Sequence, residues 1–342
     1  MKTRLLHLRV TILSLSCIWL AVAVVTAQAA APSPYEAGPP SARTDWTPAS
    51  HLPSPRWGAA GATDGCVLYS IGGRNRVGGS ADHVFAYDTV ADEWTAREPM
   101  PERLGGLQAT AIGDLLYVVG GYRGDLSIAA ANNIYDTAAD AWSSGASLPN
   151  PGGIATAAEA AYNGKVYVLG GDDGDLNSNA TTYEYDPATD TWASKAPMPT
   201  ARENNVAVTL NGKVYVAGGM QVQVNFEGLR TFEAYDPASN SWTTLAPMNA
   251  GRVSPGIATD GAYVYVYGGA ASYETGVLLR GAERYDPATD TWSRISSMGR
   301  AVESMAAAYV NGRLYSAGGS FTQSNQYLEI EPGSCTQGSE PD

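Results

Sequence analysis

The 342 residues include only three histidines, three cysteines and four phenylalanines, and 21 lysines and arginines face 34 aspartates and glutamates. Each shortage excludes a class of chemistry. Zinc sites built from histidine and cysteine have little to draw on, and no Ser-His-Asp set or phosphate-binding glycine loop is recognisable. The basic deficit argues against nucleic acid, whose phosphates need clustered lysine and arginine. Long uncharged hydrophobic runs are missing as well, except at the start. Lys2, Arg4 and Arg9 precede an apolar stretch from Val10 to Val25, and Ala27-Gln28-Ala29 follows, the pattern of an export signal cleaved after Ala29. Its removal leaves 18 basic against 34 acidic residues, a net charge of −16. The stretch from Val10 to Ala31 is also about long enough to cross a bilayer, so an uncleaved anchor is the alternative. Cys17 lies inside this segment and has no lipobox before it. The mature chain is read as secreted, periplasmic or cell-surface, with no membrane insertion once the signal is gone.

Glycine, in contrast, is abundant and periodic. Pairs recur at Gly72-Gly73, Gly120-Gly121, Gly170-Gly171, Gly218-Gly219, Gly268-Gly269 and Gly318-Gly319, at intervals of 48 or 50 residues, the signature of a propeller array. Three residues before each pair stands a tyrosine: Tyr69, Tyr117, Tyr167, Tyr215, Tyr265 or Tyr315. These tyrosines sit in β-branched runs such as Lys165-Val166-Tyr167-Val168-Leu169, which read as strands. Asp64-Gly65, Asn163-Gly164, Asn211-Gly212, Asp260-Gly261 and Asn311-Gly312 lie just upstream and tolerate positive φ at a tight turn, so a first strand pairs with this second one. After a variable stretch come Tyr-Asp at 87–88, 135–136, 185–186, 235–236 and 285–286, a polar turn, and Trp94, Trp142, Trp192, Trp242 or Trp292. Strands three and four thus form a second hairpin. A lone four-stranded sheet cannot cover both its faces, whereas radial stacking buries them and leaves only short edges.

Tryptophan spacing predicts how the ring closes. The first glycine of each pair precedes its tryptophan by 22 or 24 residues, which would put the sixth tryptophan at Glu340 to Asp342, where none exists. Trp46 has no diglycine of its own and supplies the missing strand. The expected fold is all-β: a six-bladed propeller over residues 45–332, with an N-terminal strand completing blade six. Residues 1–29 form the signal, 30–44 a Pro-rich linker and 333–342 a polar tail. The diglycine after a β-run, the Tyr-Asp pair and the spaced tryptophan resemble the Kelch repeat over roughly residues 45–332. Tyr327-Leu328 departs from Tyr-Asp in the last blade, and blade three lacks the arginine that opens the other first strands. Cys66 and Cys335 fall on the tight-turn side at the seam between blades one and six, where an oxidising compartment permits a disulfide.

With both tight turns on one side, the loops joining strands two to three and four to one occupy the other, and recognition is expected there. The variable loops are 74–82, 122–130, 172–179, 220–230, 270–279 and 320–325. Kelch resemblance implies partner binding across the same face. The residues expected to bind are Arg74, Arg76, Tyr122, Arg123, Asp172, Asn204, Asn205, Gln221, Ser254, Tyr273 and Ser304. Asn204, Asn205, Ser254 and Ser304 correspond to Kelch positions at the channel mouth, and Trp57 and Tyr273 are read as exposed aromatics able to stack on sugars, with packing between blades the commoner fate of a propeller tryptophan. Arg56, Arg103, Arg202, Arg252 and Arg300 recur near the axis. They are read mainly as framework, paired with neighbours such as Glu102, Glu203 and Glu303, and alternatively as a clamp for carboxylates. Asp172, Asp173 and Asp175 resemble a fragment of a calcium loop without its terminal glutamate, a weak candidate site. Glu159 interrupts a small, apolar first strand and is the weak catalytic candidate. Enzymatic relatives of the architecture are the galactose-oxidase-like proteins, whose copper ligands are missing here, and the periplasmic sialic acid mutarotases. No cofactor is implied. The expected function is noncatalytic recognition of a protein or glycan by a monomer, with a carbohydrate-active epimerase as the alternative.

Overall fold

The computed structural model describes residues 45–75, 79–174, 178–331, 333 and 335, so the signal, the linker, most of the tail, Arg76 and Asp175 lie outside the described residues. Six four-stranded antiparallel sheets account for all the regular structure described. β1 (Trp46–Ala49) stands first in the chain. Blade one follows as β2 (Ala60–Thr63), β3 (Val67–Ile71), β4 (Val84–Asp88) and β5 (Glu93–Arg97). Blade two is β6 (Ala109–Ile112), β7 (Leu115–Val119), β8 (Asn132–Asp136) and β9 (Ala141–Gly145). Blade three is β10 (Ala158–Tyr162), β11 (Lys165–Leu169), β12 (Thr182–Asp186) and β13 (Thr191–Ser194). Blade four is β14 (Val206–Leu210), β15 (Lys213–Ala217), β16 (Phe232–Asp236) and β17 (Ser241–Thr244). Blade five is β18 (Gly256–Thr259), β19 (Val264–Tyr267), β20 (Ala282–Asp286) and β21 (Thr291–Ile295). Blade six is β22 (Ala306–Val310), β23 (Arg313–Ala317) and β24 (Asn325–Glu329), and its fourth strand is β1, paired through Trp46↔Leu328 and Ala49↔Asn325. The first strands pack on one another in a closed cycle, β2–β6–β10–β14–β18–β22 and back to β2. This is a six-bladed β-propeller closed by its N-terminal strand.

The repeat residues hold the seams between blades. Second-strand tyrosines are buried and meet the third-strand tyrosine of the next blade, as in Tyr69–Tyr135, Tyr117–Tyr185, Tyr167–Tyr235 and Tyr215–Tyr285. The second glycine of a pair donates its N–H to the entry loop of the following blade, Gly121 to Ile154 O at 2.9 Å and Gly171 to Arg202 O at 2.9 Å. That approach explains the glycines: Gly120 has φ +72°, and a Cβ there would run into the carbonyl oxygen of Ile154.

An outer ring does the same work at the rim. Each tryptophan Nε1 donates to a carbonyl just past the outer strand of the preceding blade: Trp94 to Ser50, Trp142 to Glu98, Trp192 to Ala146, Trp242 to Ala196, Trp292 to Ala246 and Trp46 to Ser296, all at 2.7–2.9 Å. Trp46 therefore occupies the sixth position of a closed ring. Beside these bonds, the aspartate or asparagine of the polar turn accepts both a tyrosine hydroxyl and a backbone N–H of the preceding blade. Asp92 does so for Tyr87 and Ser50, and Asn240 for Tyr235 and Ala196. At the tight-turn side Cys66, preceding β3, is disulfide-bonded to Cys335, with Cα atoms 5.8 Å apart. Cys335 N also donates to Asn311 Oδ1 in the first hairpin of blade six, so Cys335 itself is held to that blade.

Candidate binding face and axial pocket

Fourteen residues before each diglycine, the chain turns sharply at the axis. Gly58, Gly106, Thr156, Asn204, Ser254 and Ser304 all adopt left-handed backbone, with φ between +47° and +67°. Their peptide groups form a closed cycle: Gly106 N donates to Gly58 O, Thr156 N to Gly106 O, Asn204 N to Thr156 O, Ser254 N to Asn204 O, Ser304 N to Ser254 O and Gly58 N to Ser304 O, each at 2.9–3.0 Å. Non-glycine residues pay about 1–2 kcal/mol for that conformation, and the cycle holds them in it. Side chains of Thr156, Asn204, Ser254 and Ser304, with Trp57 and Met305, line a cavity at the axis. It offers about 20 Å³ to water, room for one or two molecules and not for a sugar ring. Ser254 Oγ donates to Asn204 Oδ1 at 3.1 Å, so the rim of this cavity is partly hydrogen-bonded to itself.

Outside the cycle, in five of the blades the residue before the turn bridges the residue after the diglycine: Trp57 with Arg74, Gly105 with Tyr122, Ala155 with Asp172, Glu203 with Met220 and Val253 with Ala270. Two carboxyls in this second ring hold protons near neutral pH. Burial raises Glu203 to about 8, with the charge of Asp172 adding to the shift and Asn204 opposing it. Burial raises Glu303 to about 7. Tyr122 donates its hydroxyl to Asp172, and burial together with that carboxylate drives the phenol far above its ordinary value.

The sequence-expected binding residues divide. Asn204, Ser254 and Ser304 line the axial cavity. Tyr122, Asp172, Gln221 and Tyr273 are half-buried on the loop face. Arg123 is tied to Glu102 and to Ile128 O. Asn205 is 1% exposed and turns away, its Nδ2 bonded to Leu169 O between blades three and four, because the left-handed turn at Asn204 redirects the chain before β14 begins at Val206. Arg74 is 2% exposed beneath the loop it was expected to top, and Trp57, read as exposed, is packed against Phe321. Asp172 has both carboxylate oxygens engaged, by Tyr122 and by Gly174 N, and no group of three His, Cys, Asp or Glu able to hold a metal occurs among the described residues.

Arg202 and Arg252 are framework, with partners other than their sequence neighbours. Arg202 is fully buried against Glu233 and Arg252 against Glu283, at 2.9 Å, and each also donates to carbonyls of its own blade, including Gly218 and Gly268. Arg103 pairs with Asp82 at the surface. Glu203 and Glu303 are thus not arginine partners, and burial instead raises both carboxyls toward neutral pH. Glu159 lies between blades two and three, 5% exposed, outside the residues that line the axial cavity. Its Oε1 accepts Val119 N at 3.1 Å while Oε2 is buried without a hydrogen bond, and burial raises its pKa well above 4.5.

Sequence reading missed Thr156, took Glu203 and Glu303 only as arginine partners, and missed the exposed apolar residues Val224, Phe226 and Val277. For the first three a signal existed, the fixed offset to the diglycine; the apolar three sit in loops with no repeat register to align. Such a ring of repeats, with loops gathered at one mouth, defines a propeller of the repeat-built recognition class. A family model described as the KLHDC2/KLHL20/DRC7 Kelch-repeats domain matches residues 106–319, and a Kelch-motif model matches residues 55–101. The chain belongs to the Kelch-repeat family, whose propellers are commonly protein-binding modules. No curated protein matches its sequence.

Proposed function

We propose that the chain is an exported, noncatalytic module that binds a protein partner through the face formed by the loops between strands two and three and between strands four and one. One observation carries the reading. The exposed large hydrophobic side chains among the described residues are Val224, Phe226 and Val277, and all three stand on loops of blades four and five at this face. Clustered exposed apolar groups on an otherwise polar surface mark interaction sites. The loops that bear them are fastened together: Tyr273 N donates to Phe226 O and Gly228 N to Ala271 O, both at 2.8 Å. The small axial cavity favours a protein over a glycan, and the position of Glu159 inside a blade seam gives a catalytic reading no support. Export rests on the charge pattern of residues 1–29, and N-terminal sequencing of the exported chain is expected to begin at Ala30. Affinity capture on immobilised protein, compared between wild type and Val224→Ser/Phe226→Ser, tests the face. We expect partners to be lost at an unchanged melting temperature. An unaltered set of partners sinks the assignment, and a glycan-array ligand lost in the same variant would reassign the face to sugars.

A further inference from the structure

The charges around the apolar loops say what kind of protein segment fits them. Glu227 and Glu274 are exposed beside Phe226 and Tyr273, and neither takes part in any ion pair among the described residues. Glu227 lies opposite Ser272 in a bridge between the two loops, so both carboxylates are carried on one platform rather than on separate mobile tips. Asp172 and Asp173 of blade three, both half-buried, extend the acidic arc. Arg230 and Arg280, exposed at the feet of the same loops, each hold a backbone carbonyl through Nε, Arg230 to Met248 O at 2.6 Å and Arg280 to Met298 O at 2.8 Å. Elsewhere on this face Arg123 of blade two is ion-paired with Glu102, and Arg300 stands beside an open groove of about 290 Å³ lined by His51, Phe321 and Gln323.

Resting on the loop-face reading above, we propose that blades three to five dock a basic, apolar peptide segment of the protein partner. Its large side chains cover Val224, Phe226 and Val277, and its lysines or arginines face Glu227, Glu274 and the Asp172–Asp173 carboxylates. The two parts do different work. Apolar anchors at the centre supply most of the binding energy, while charges at the rim select the partner and speed encounter. A second copy of this chain is a poor occupant, since it brings the same acidic arc and a mature net charge of −16.

A random 12-residue peptide library selected on the whole exported protein tests this. Enriched peptides are expected to be net positive with large apolar residues. Their affinity should fall at least tenfold in Glu227→Lys/Glu274→Lys and in Val224→Ser/Phe226→Ser, and weaken from 50 to 300 mM salt, with both variants melting like wild type. Peptides lost in the apolar variant but indifferent to charge reversal overturn the basic-segment proposal and leave the face reading standing. Peptides indifferent to both pairs, or no enrichment, overturn both. A concentration-dependent dimer dissolved by Phe226→Ser would give the patch to a second copy and overturn the proposal.

Discussion

Glu159 shows how one residue can run against its surroundings. The equivalent positions of the other blades are Gly61, Ala109, Ala207, Ile257 and Ala307, so blade three alone buries a carboxyl there. With one oxygen bonded to Val119 N and the other bare, the neutral acid is the tolerated form. The folded chain therefore keeps a proton that the unfolded chain releases near 4.5, and stability falls as pH rises above that value. Glu159→Gln mimics the neutral acid. It is expected to match wild type at pH 4 and to exceed it at pH 8, with the gap widening between; urea denaturation at both pH values measures it, and equal stability at pH 8 would show that the carboxyl ionises without cost. Glu203 and Glu303 were legible as residues but not as acids raised toward neutral pH, because their state depends on loops that bury them from far along the chain.

At the level of the element, β1 has four residues and yet closes the ring. Trp46 is 5% exposed, its ring lies 5.4 Å from that of Tyr267, and its Nε1 bonds Ser296 O. Truncation to alanine should cost about 3–5 kcal/mol, the range for a buried tryptophan. Phenylalanine keeps part of the packing and gives up the hydrogen bond, about 1 kcal/mol, in addition to the cost of the unfilled part of the indole site. Denaturant titration of both variants separates the two contributions, and an undiminished Trp46→Ala would mean that β1 contributes nothing to blade six. The strand was legible because the tryptophan spacing left one vacancy and one surplus residue.

Across the whole molecule, closure is repeated at three radii: the cycle of left-handed peptides at the axis, the packed first strands, and the tryptophan ring at the rim. The disulfide adds a fourth link on the seam between the last blade and the first, joining residues 269 apart in sequence. In the chain-entropy account, cross-linking so long a segment restricts the unfolded state, and Cys66→Ser is expected to lower stability by about 2–5 kcal/mol. Reductant should bring wild type to the level of the variant, and intact mass of the exported protein should show no free thiol. Two free thiols in that sample would remove the link from the fold.

The repeat by itself determined the architecture, since glycine pairs, tyrosines, turn acids and tryptophans recur at fixed offsets and each offset encodes a local hydrogen bond or close approach. Blade number, strand pairing and the place of Trp46 followed from that register. Only the tertiary structure decided which loop residues reach the face. Arg74 and Trp57 fold under it, Asn205 turns into a seam, and Phe226 stands out, because a variable loop takes its shape from the neighbouring blade it rests on rather than from its own sequence.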